Sequence, residues 1–233
     1  MQLTKEQAER ELVGKIHCCD CLDLMAKMPD NYVDLCYADP PFRIGKSLIG
    51  SKHRNYSMNN IELSDIKTYK RWCKKWFKEA RRISKKIVIT SGVVAVPYYP
   101  EYIWMVIISK PSTRSFNKFG GYNCYEPLLI YDKPLKRLPR DVVIYDSLNV
   151  KNSIEKQHPC PDNHNMVAWI IDLWSEKYDI IYDPFMGSGT TAAMAIKYNR
   201  RWLGSEINPE YVAIANKRIQ PLLDQYNLFE VNQ

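Results

Sequence analysis

Ile180-Ile181-Tyr182-Asp183-Pro184-Phe185-Met186-Gly187-Ser188-Gly189-Thr190-Thr191-Ala192-Ala193-Met194-Ala195-Ile196 is the stretch that decides the fold class. A short apolar run ends in a turn of small residues, and a helical pattern from Thr190 to Tyr198 follows. A strand, a glycine turn and a helix in direct succession form half of a βαβ unit. The two glycines let the backbone approach a ligand closely, and the helix N-terminus favours a negative group. A second strand is expected at Arg201–Gly204. Glu206 follows it, 19 residues after Gly187, where an acid can accept both hydroxyls of a ribose. Gly187-Ser188-Gly189-Thr190-Thr191-Ala192 fits the dinucleotide fingerprint with Ala in the last place. Only 27 residues follow Glu206, too few for the nicotinamide half of a dehydrogenase, so an adenosine ligand is expected and a dinucleotide is not. A tight turn tuned only for packing is the competing reading. Five small residues and a placed acid weigh against it.

Working outward, the same alternation continues in both directions. Thr4 to Val13 reads as a short helix with Thr4 and Gln7 as a capping box. Ile16–Cys19 reads as a buried strand, Leu22–Met28 as a short helix and Val33–Ala38 as a second strand. After Leu63, Ile66, Tyr69, Trp72, Cys73, Trp76, Phe77, Ala80 and Ile83 recur at helical spacing. Ile87–Thr90, Tyr102–Ile108 and Pro127–Tyr131 read as strands, and Val142–Ile144 as a short apolar run in a polar region. A helix is expected over Asn163–Lys177. The last helix is expected to start at Asn208, with Pro209 at its first position, and to stop at Pro221. Strands alternating with helices predict an α/β fold with a mostly parallel sheet and helices on both faces. With no repeats and no linker, residues 1–233 read as a single domain.

Composition narrows the function classes. The chain has 33 Lys and Arg against 26 Asp and Glu, a net charge of +7, with 45% hydrophobic and 25% charged residues. These values exclude a disordered or fibrous protein. No stretch is long and apolar enough for a membrane span, and the charged N-terminus is not expected to be a signal peptide. Seven Cys read as reduced thiols, and a cytoplasmic location is expected. The charge is unevenly placed: residues 43–86 hold 14 basic and three acidic residues, whereas the remainder holds 19 and 23. Part of that surplus, Lys67, Lys70, Arg71, Lys74, Lys78, Arg81 and Arg82, covers the polar side of the long helix and reads as a solvated face. The loop before it differs. Arg43, Lys46, Lys52, His53 and Arg54 lie where there is no apolar periodicity and no acid before Glu62, which suits phosphate contact. Cys18 and Cys21 with Cys160 and His164 make the only metal set that can be assembled. Its halves are far apart in the chain, and no metal is expected.

Asp39-Pro40-Pro41-Phe42 stands at the carboxyl end of a predicted strand, the edge where ligands bind in open parallel sheets. Pro-Pro has no backbone N–H, so its carbonyls stay out of a regular ladder and are held rigidly. Asp39 and the Pro40 carbonyl then offer two acceptors for the two hydrogens of one amino group, and Phe42 offers a flat face for a ring. A simple strand-ending turn is the other reading, and the motif alone leaves the two level.

Together, Asp39-Pro40-Pro41-Phe42 and Asp183-Pro184-Phe185-Met186-Gly187-Ser188-Gly189-Thr190-Thr191 resemble the amino-methyltransferases of DNA, which methylate adenine N6 or cytosine N4. The catalytic motif precedes the cofactor motif, as in the circularly permuted β-type branch. Lys156-Gln157-His158-Pro159-Cys160-Pro161 resembles that family's Lys-x-x-His-Pro segment. Arg201-Trp202-Leu203-Gly204-Ser205-Glu206 through Tyr211, Ala215 and Arg218 resembles its closing signature. The resemblance spans about residues 14 to 220 and implies a Rossmann-like, S-adenosylmethionine-dependent fold. It places the cofactor on Asp20, His158, Asp183, Phe185, Gly187, Ser188, Gly189, Thr190 and Glu206, and the chemistry on Asp39, Pro40, Pro41 and Phe42. The partner implied is double-stranded DNA, with the target base flipped out. Asp in the first position resembles the adenine-N6 enzymes; the cytosine-N4 enzymes usually carry Ser.

One departure stands out: the family continues His-Pro-x-x with Lys-Pro, and this chain has Asp162-Asn163. If that lysine held the cofactor's carboxylate, the helix N-terminus and the Ser188 and Thr190 hydroxyls must serve here. DNA contacts are expected from Arg43, Lys46, Lys52 and Arg54 in a basic loop over 43–62, whose surplus begins beside Phe42. Others are expected from Lys133, Lys136, Arg137 and Arg140 in a short target-recognition insert over 132–155. So short an insert suggests a short target, help from the basic loop, or a homodimer that doubles the footprint. Cytosine-N4 methylation is one alternative. An RNA amino-methyltransferase is another, although in those families the cofactor loop usually comes first. A purely binding module has no reason to keep Asp39, Glu206 and the glycine loop together.

Overall fold

The computed structural model describes residues 2–41, 66–110, 115–116, 121–144 and 164–230. The elements run α1 (Lys5–Leu12), β1 (Ile16–Cys18), α2 (Cys21–Met25), β2 (Val33–Ala38), α3 (Ile66–Ile83), β3 (Ser84–Thr90), a 3-10 turn (Val93–Tyr98), β4 (Trp104–Ser109), β5 (Ser115–Phe116), β6 (Tyr122–Asn123), β7 (Tyr125–Ile130), β8 (Val142–Ile144), α4 (His164–Trp174), β9 (Ile180–Asp183), α5 (Thr190–Lys197), β10 (Arg201–Glu206) and α6 (Pro209–Glu230). Eight strands form one sheet in the order β1-β10-β9-β2-β3-β7-β4-β8, and β5 pairs with β6 separately. Pairing is parallel from β1 through β3, antiparallel where β7 meets β3 and β4, and parallel again between β4 and β8.

The central strands read as unbroken apolar runs because both faces of the sheet are covered. Cys36, Ala38, Ile87, Ile89 and Tyr182 point to one side, into a core shared with α1, α2 and α3. Leu35, Tyr37, Val88 and Ile181 alternate with them and pack with α4, α5 and α6 on the other. The result is the three-layer α/β sandwich that the alternation predicted.

Three sequence expectations need correction. β1 is not buried: it is the edge strand, paired only with β10, so Ile16 and His17 are half-buried and Cys18 is exposed. The helix at Leu22–Met28 is shorter and begins earlier, at Cys21, because the Asp20 carboxylate caps it by accepting the Leu22 N–H at 2.7 Å. The last helix does not stop at Pro221 but runs through it to Glu230. Pro221 and Lys217 are exposed, so the carbonyl that loses its partner can bond water. The capping box at Thr4 is present as expected, with Thr4 and Gln7 bonding each other's backbone N–H.

α3 buries Tyr69, Trp72, Cys73, Trp76, Phe77, Ala80 and Ile83, while Ile66 is 42% exposed. The opposite face is electrostatically uneven. Arg81 forks onto Asp132 at 2.5 and 2.8 Å, and Arg82 meets Glu79 at 2.9 Å and Asp30 at 2.7 Å. The preceding turns carry Lys67, Lys70, Arg71, Lys74, Lys75 and Lys78, all exposed, with no acid in the first turn. Like charges four residues apart on a helix are destabilising by roughly 0.2–0.5 kcal/mol per pair, and cations near its N-terminus oppose the macrodipole. This arrangement does nothing for folding.

Asp132 does the reverse, tying three elements together. It accepts from Arg81 and from the backbone N–H of Ile87 at 2.9 Å, and its own carbonyl receives Trp174 Nε1 at 2.9 Å. Asp132→Ala strands the buried Ile87 N–H and should lower stability by about 1–3 kcal/mol. Urea denaturation should show a lower midpoint with an unchanged slope.

Candidate active site

Four parallel neighbours, β1, β10, β9 and β2, end at one edge of the sheet, and each supplies an acid there. Asp20 follows β1, Glu206 ends β10, Asp183 ends β9 and Asp39 follows β2. Register sets them side by side, since Cys18 pairs with Glu206, Gly204 with Asp183 and Cys36 with Tyr182.

The loop after β9 is built inward from Asp183, which is 2% exposed. Its carboxylate accepts the Phe185 N–H at 2.9 Å and the Thr191 hydroxyl at 2.5 Å, so it holds the turn against the start of α5. Gly187 and Gly189 have φ of 51° and 82°, which L side chains rarely adopt. A Cβ on Gly189 would also lie 2.9 Å from the Ala215 Cβ of α6. Glu206 closes the other side, accepting the Gly187 N–H at 2.9 Å and the Asn208 N–H at 2.8 Å. Burial raises its pKa above the ordinary value of 4.5, and those backbone N–H groups oppose the rise.

Ser188 and Thr190 are buried, and both hydroxyl oxygens accept from Arg218 Nη1 at 2.9 Å. The same nitrogen donates to the Ser188 carbonyl at 3.1 Å, while Arg218 Nη2 contacts His164 Nε2. With their oxygens accepting from a cation, the two hydroxyls keep their hydrogens for donation to an anion. Arg218 is the residue that sequence reasoning missed, having entered only as part of a closing signature. Its spacing from Ala215 was the available signal, because residues three apart share a helix face.

Asp39 and Pro41 are half-buried and Pro40 is buried. Tyr69 of α3 donates to the Pro41 carbonyl at 2.9 Å, which pins the far end of Pro-Pro and leaves the Pro40 carbonyl beside Asp39. Phe185 lies between the two motifs, its ring 5.6 Å from Trp72 and 5.2 Å from Trp76. The structure therefore brings together Asp20, Asp39, Pro40, Pro41, Asp183, Phe185, Gly187, Ser188, Gly189, Thr190 and Glu206. Phe42, His158, Arg43, Lys46, Lys52 and Arg54 lie outside the described residues, as does Cys160 of the conceivable metal set.

The structure does not bring the other expected DNA contacts to this edge. β7 runs antiparallel to β3, with Ile130 opposite Val88, so the chain leaves it at the far edge of the sheet. Lys133, Lys136 and Arg137 follow there, and Lys136 pairs with Asp172 of α4. Arg140 precedes β8 and is exposed.

A family described as DNA methylase, covering N6 and N4 enzymes, matches residues 33–217. The chain is 26% identical over 252 residues to the type II methyltransferase M.HinfI of Haemophilus influenzae, spanning 91% of this chain and 70% of that one. It is 27% identical over 245 residues to the DNA adenine methyltransferase YhdJ of Escherichia coli (strain K12), spanning 86% and 80%. Among solved structures, the cytosine-N4-specific PvuII DNA methyltransferase superposes with a TM-score of 0.67 at 18% identity, over 92% of this chain and 95% of that one. Other structures of this fold are S-adenosylmethionine complexes.

Glycine turns with no room for a side chain, a placed Glu206 and hydroxyls backed by Arg218 fit an adenosine ligand that carries a carboxylate. Glu206→Gln should weaken S-adenosylmethionine binding roughly 10- to 100-fold by titration calorimetry, the loss of a charge-assisted hydrogen bond. Because the raised pKa favours the protonated acid, wild-type affinity should fall as pH drops, with a midpoint above 4.5. The variant should lack that midpoint.

Proposed function

The chain belongs to the DNA methylase family that modifies exocyclic amino groups, uses S-adenosylmethionine, and has DNA as its substrate; within it we propose that this protein methylates adenine N6 of a flipped-out base in double-stranded DNA. The observation that carries the reading is the placement of Asp39-Pro40 at the end of β2, beside the glycine loop that follows β9. S-adenosylmethionine supplies an electrophilic methyl group on a sulfonium. The protein's task is to make a poor nucleophile attack it in line.

An exocyclic amine shares its lone pair with the ring. Asp39 and the Pro40 carbonyl accept one hydrogen bond each from its two hydrogens, which favours a pyramidal nitrogen with an available lone pair. The same two acceptors stabilise positive charge as it develops on that nitrogen. Tyr69, by fixing the Pro41 carbonyl, keeps this pair of acceptors oriented. The methylated nitrogen is cationic and acidic, so Asp39 need not be a strong base before attack. Phe42 provides the face on which the flipped base stacks, and the basic 43–62 loop meets the flanking phosphates.

Asp rather than Ser at position 39 supports adenine, as does the likeness to YhdJ, whose name states that base. Likeness to the PvuII enzyme at 18% identity concerns the fold, so cytosine N4 remains the second reading.

Asp39→Ala should lower methyl incorporation into DNA by about 100- to 1000-fold or more while leaving S-adenosylmethionine binding within about twofold. Full activity in that variant would remove Asp39 from the chemistry.

A further inference from the structure

Resting on the reading of the protein as a DNA methyltransferase, we propose that the exposed basic stripe of α3 is a docking surface for the sugar–phosphate backbone of duplex DNA flanking the target base. Lys67, Arg71, Lys74 and Lys78 follow one another at four, three and four residues, so they fall on one narrow line of the helix. At 1.5 Å rise per residue that line is about 16 Å long, the length of roughly five base pairs at 3.4 Å each.

Three observations select DNA as the occupant. The stripe begins at the site: Tyr69, within its first turns, bonds the carbonyl of Pro41 in the Asp39-Pro40-Pro41 motif. At the distant end of the same helix, Arg81 and Arg82 are matched by Asp132, Glu79 and Asp30. Along the stripe, by contrast, no carboxylate among the described residues comes within ion-pair distance. The mutual repulsion of these cations works against the helix, and a regularly charged polyanion is the partner that relieves it. Lys133, Lys136 and Arg137 lie at the opposite edge, so among the described residues the cations nearest the catalytic motif are those of α3.

The test compares two fourfold variants of equal charge. One is Lys67→Gln/Arg71→Gln/Lys74→Gln/Lys78→Gln. The other is Lys5→Gln/Lys177→Gln/Lys197→Gln/Lys217→Gln, taken from exposed positions off α3. Binding to a fluorescent 30-base-pair duplex is measured by anisotropy over a range of salt, with cofactor binding and methyl incorporation measured alongside. For every phosphate that the protein no longer neutralises, the slope of log affinity against log salt falls in magnitude by about 0.9. The stripe variant should therefore have a slope shallower by about three units and an affinity lower by about tenfold or more near 100 mM salt. It should bind S-adenosylmethionine as wild type does, and should melt no lower, since like charges have been removed. The off-stripe variant should keep most of its slope.

An unchanged slope in the stripe variant, or equal losses in both variants, overturns the proposal. So does a loss confined to an RNA duplex of the same length. Wild-type protein that transfers no methyl group to DNA would instead strike the proposed function, which keeps the two failures apart.

Discussion

The parallel pairing of β2 with β9 is the interaction on which the site depends. Leu35 lies against Ile181 and Cys36 against Tyr182, so strands from opposite ends of the chain run together to one edge. Asp34 pins that register from the other end. One of its oxygens accepts the Ile180 N–H at 2.8 Å, and the other meets Lys85 of β3 at 2.6 Å. A slip of one residue would turn every side chain of β2 to the other face and carry Asp39 away from the glycine loop. Proximity of the two motifs is thus a property of the sheet, and the loops only elaborate it.

The charge of the protein follows the same geometry. Acids collect along the ends of β1, β10, β9 and β2, where a cationic sulfonium and two ribose hydroxyls are to be held. They are used differently. Asp183 braces the loop itself, Asp20 caps α2, Glu206 joins the loop to β10, and Asp39 faces the amine. Cations gather on α3 and in the stretch before it, beside the edge where a polyanion must arrive. A net charge of +7 is therefore the difference between two functional surfaces of opposite sign.

Much of this was legible in the chain because the governing signals are local. β2, β3, β9 and β10 are apolar runs bounded by turns, and a glycine turn followed by a helix has few interpretations. The errors share a physical origin. Nothing in Ile16-His17-Cys18 shows that it lies at an edge, and nothing in Tyr125–Ile130 shows that it runs antiparallel to β3. Strand direction is a tertiary property, and mistaking it moved Lys133, Lys136 and Arg137 to the wrong side of the molecule. Arg218 was overlooked for the same reason, since its meaning depends on where α6 crosses the loop. α6 also outran the proline that was expected to stop it.

Methylation of adenine N6 at the Asp39 site is tested most directly by sequencing the modified bases in DNA from cells that express this protein. N6-methyladenine should appear at one short recurring sequence and be absent from cells that lack the protein. N4-methylcytosine in its place, or no modified base at all, would contradict it.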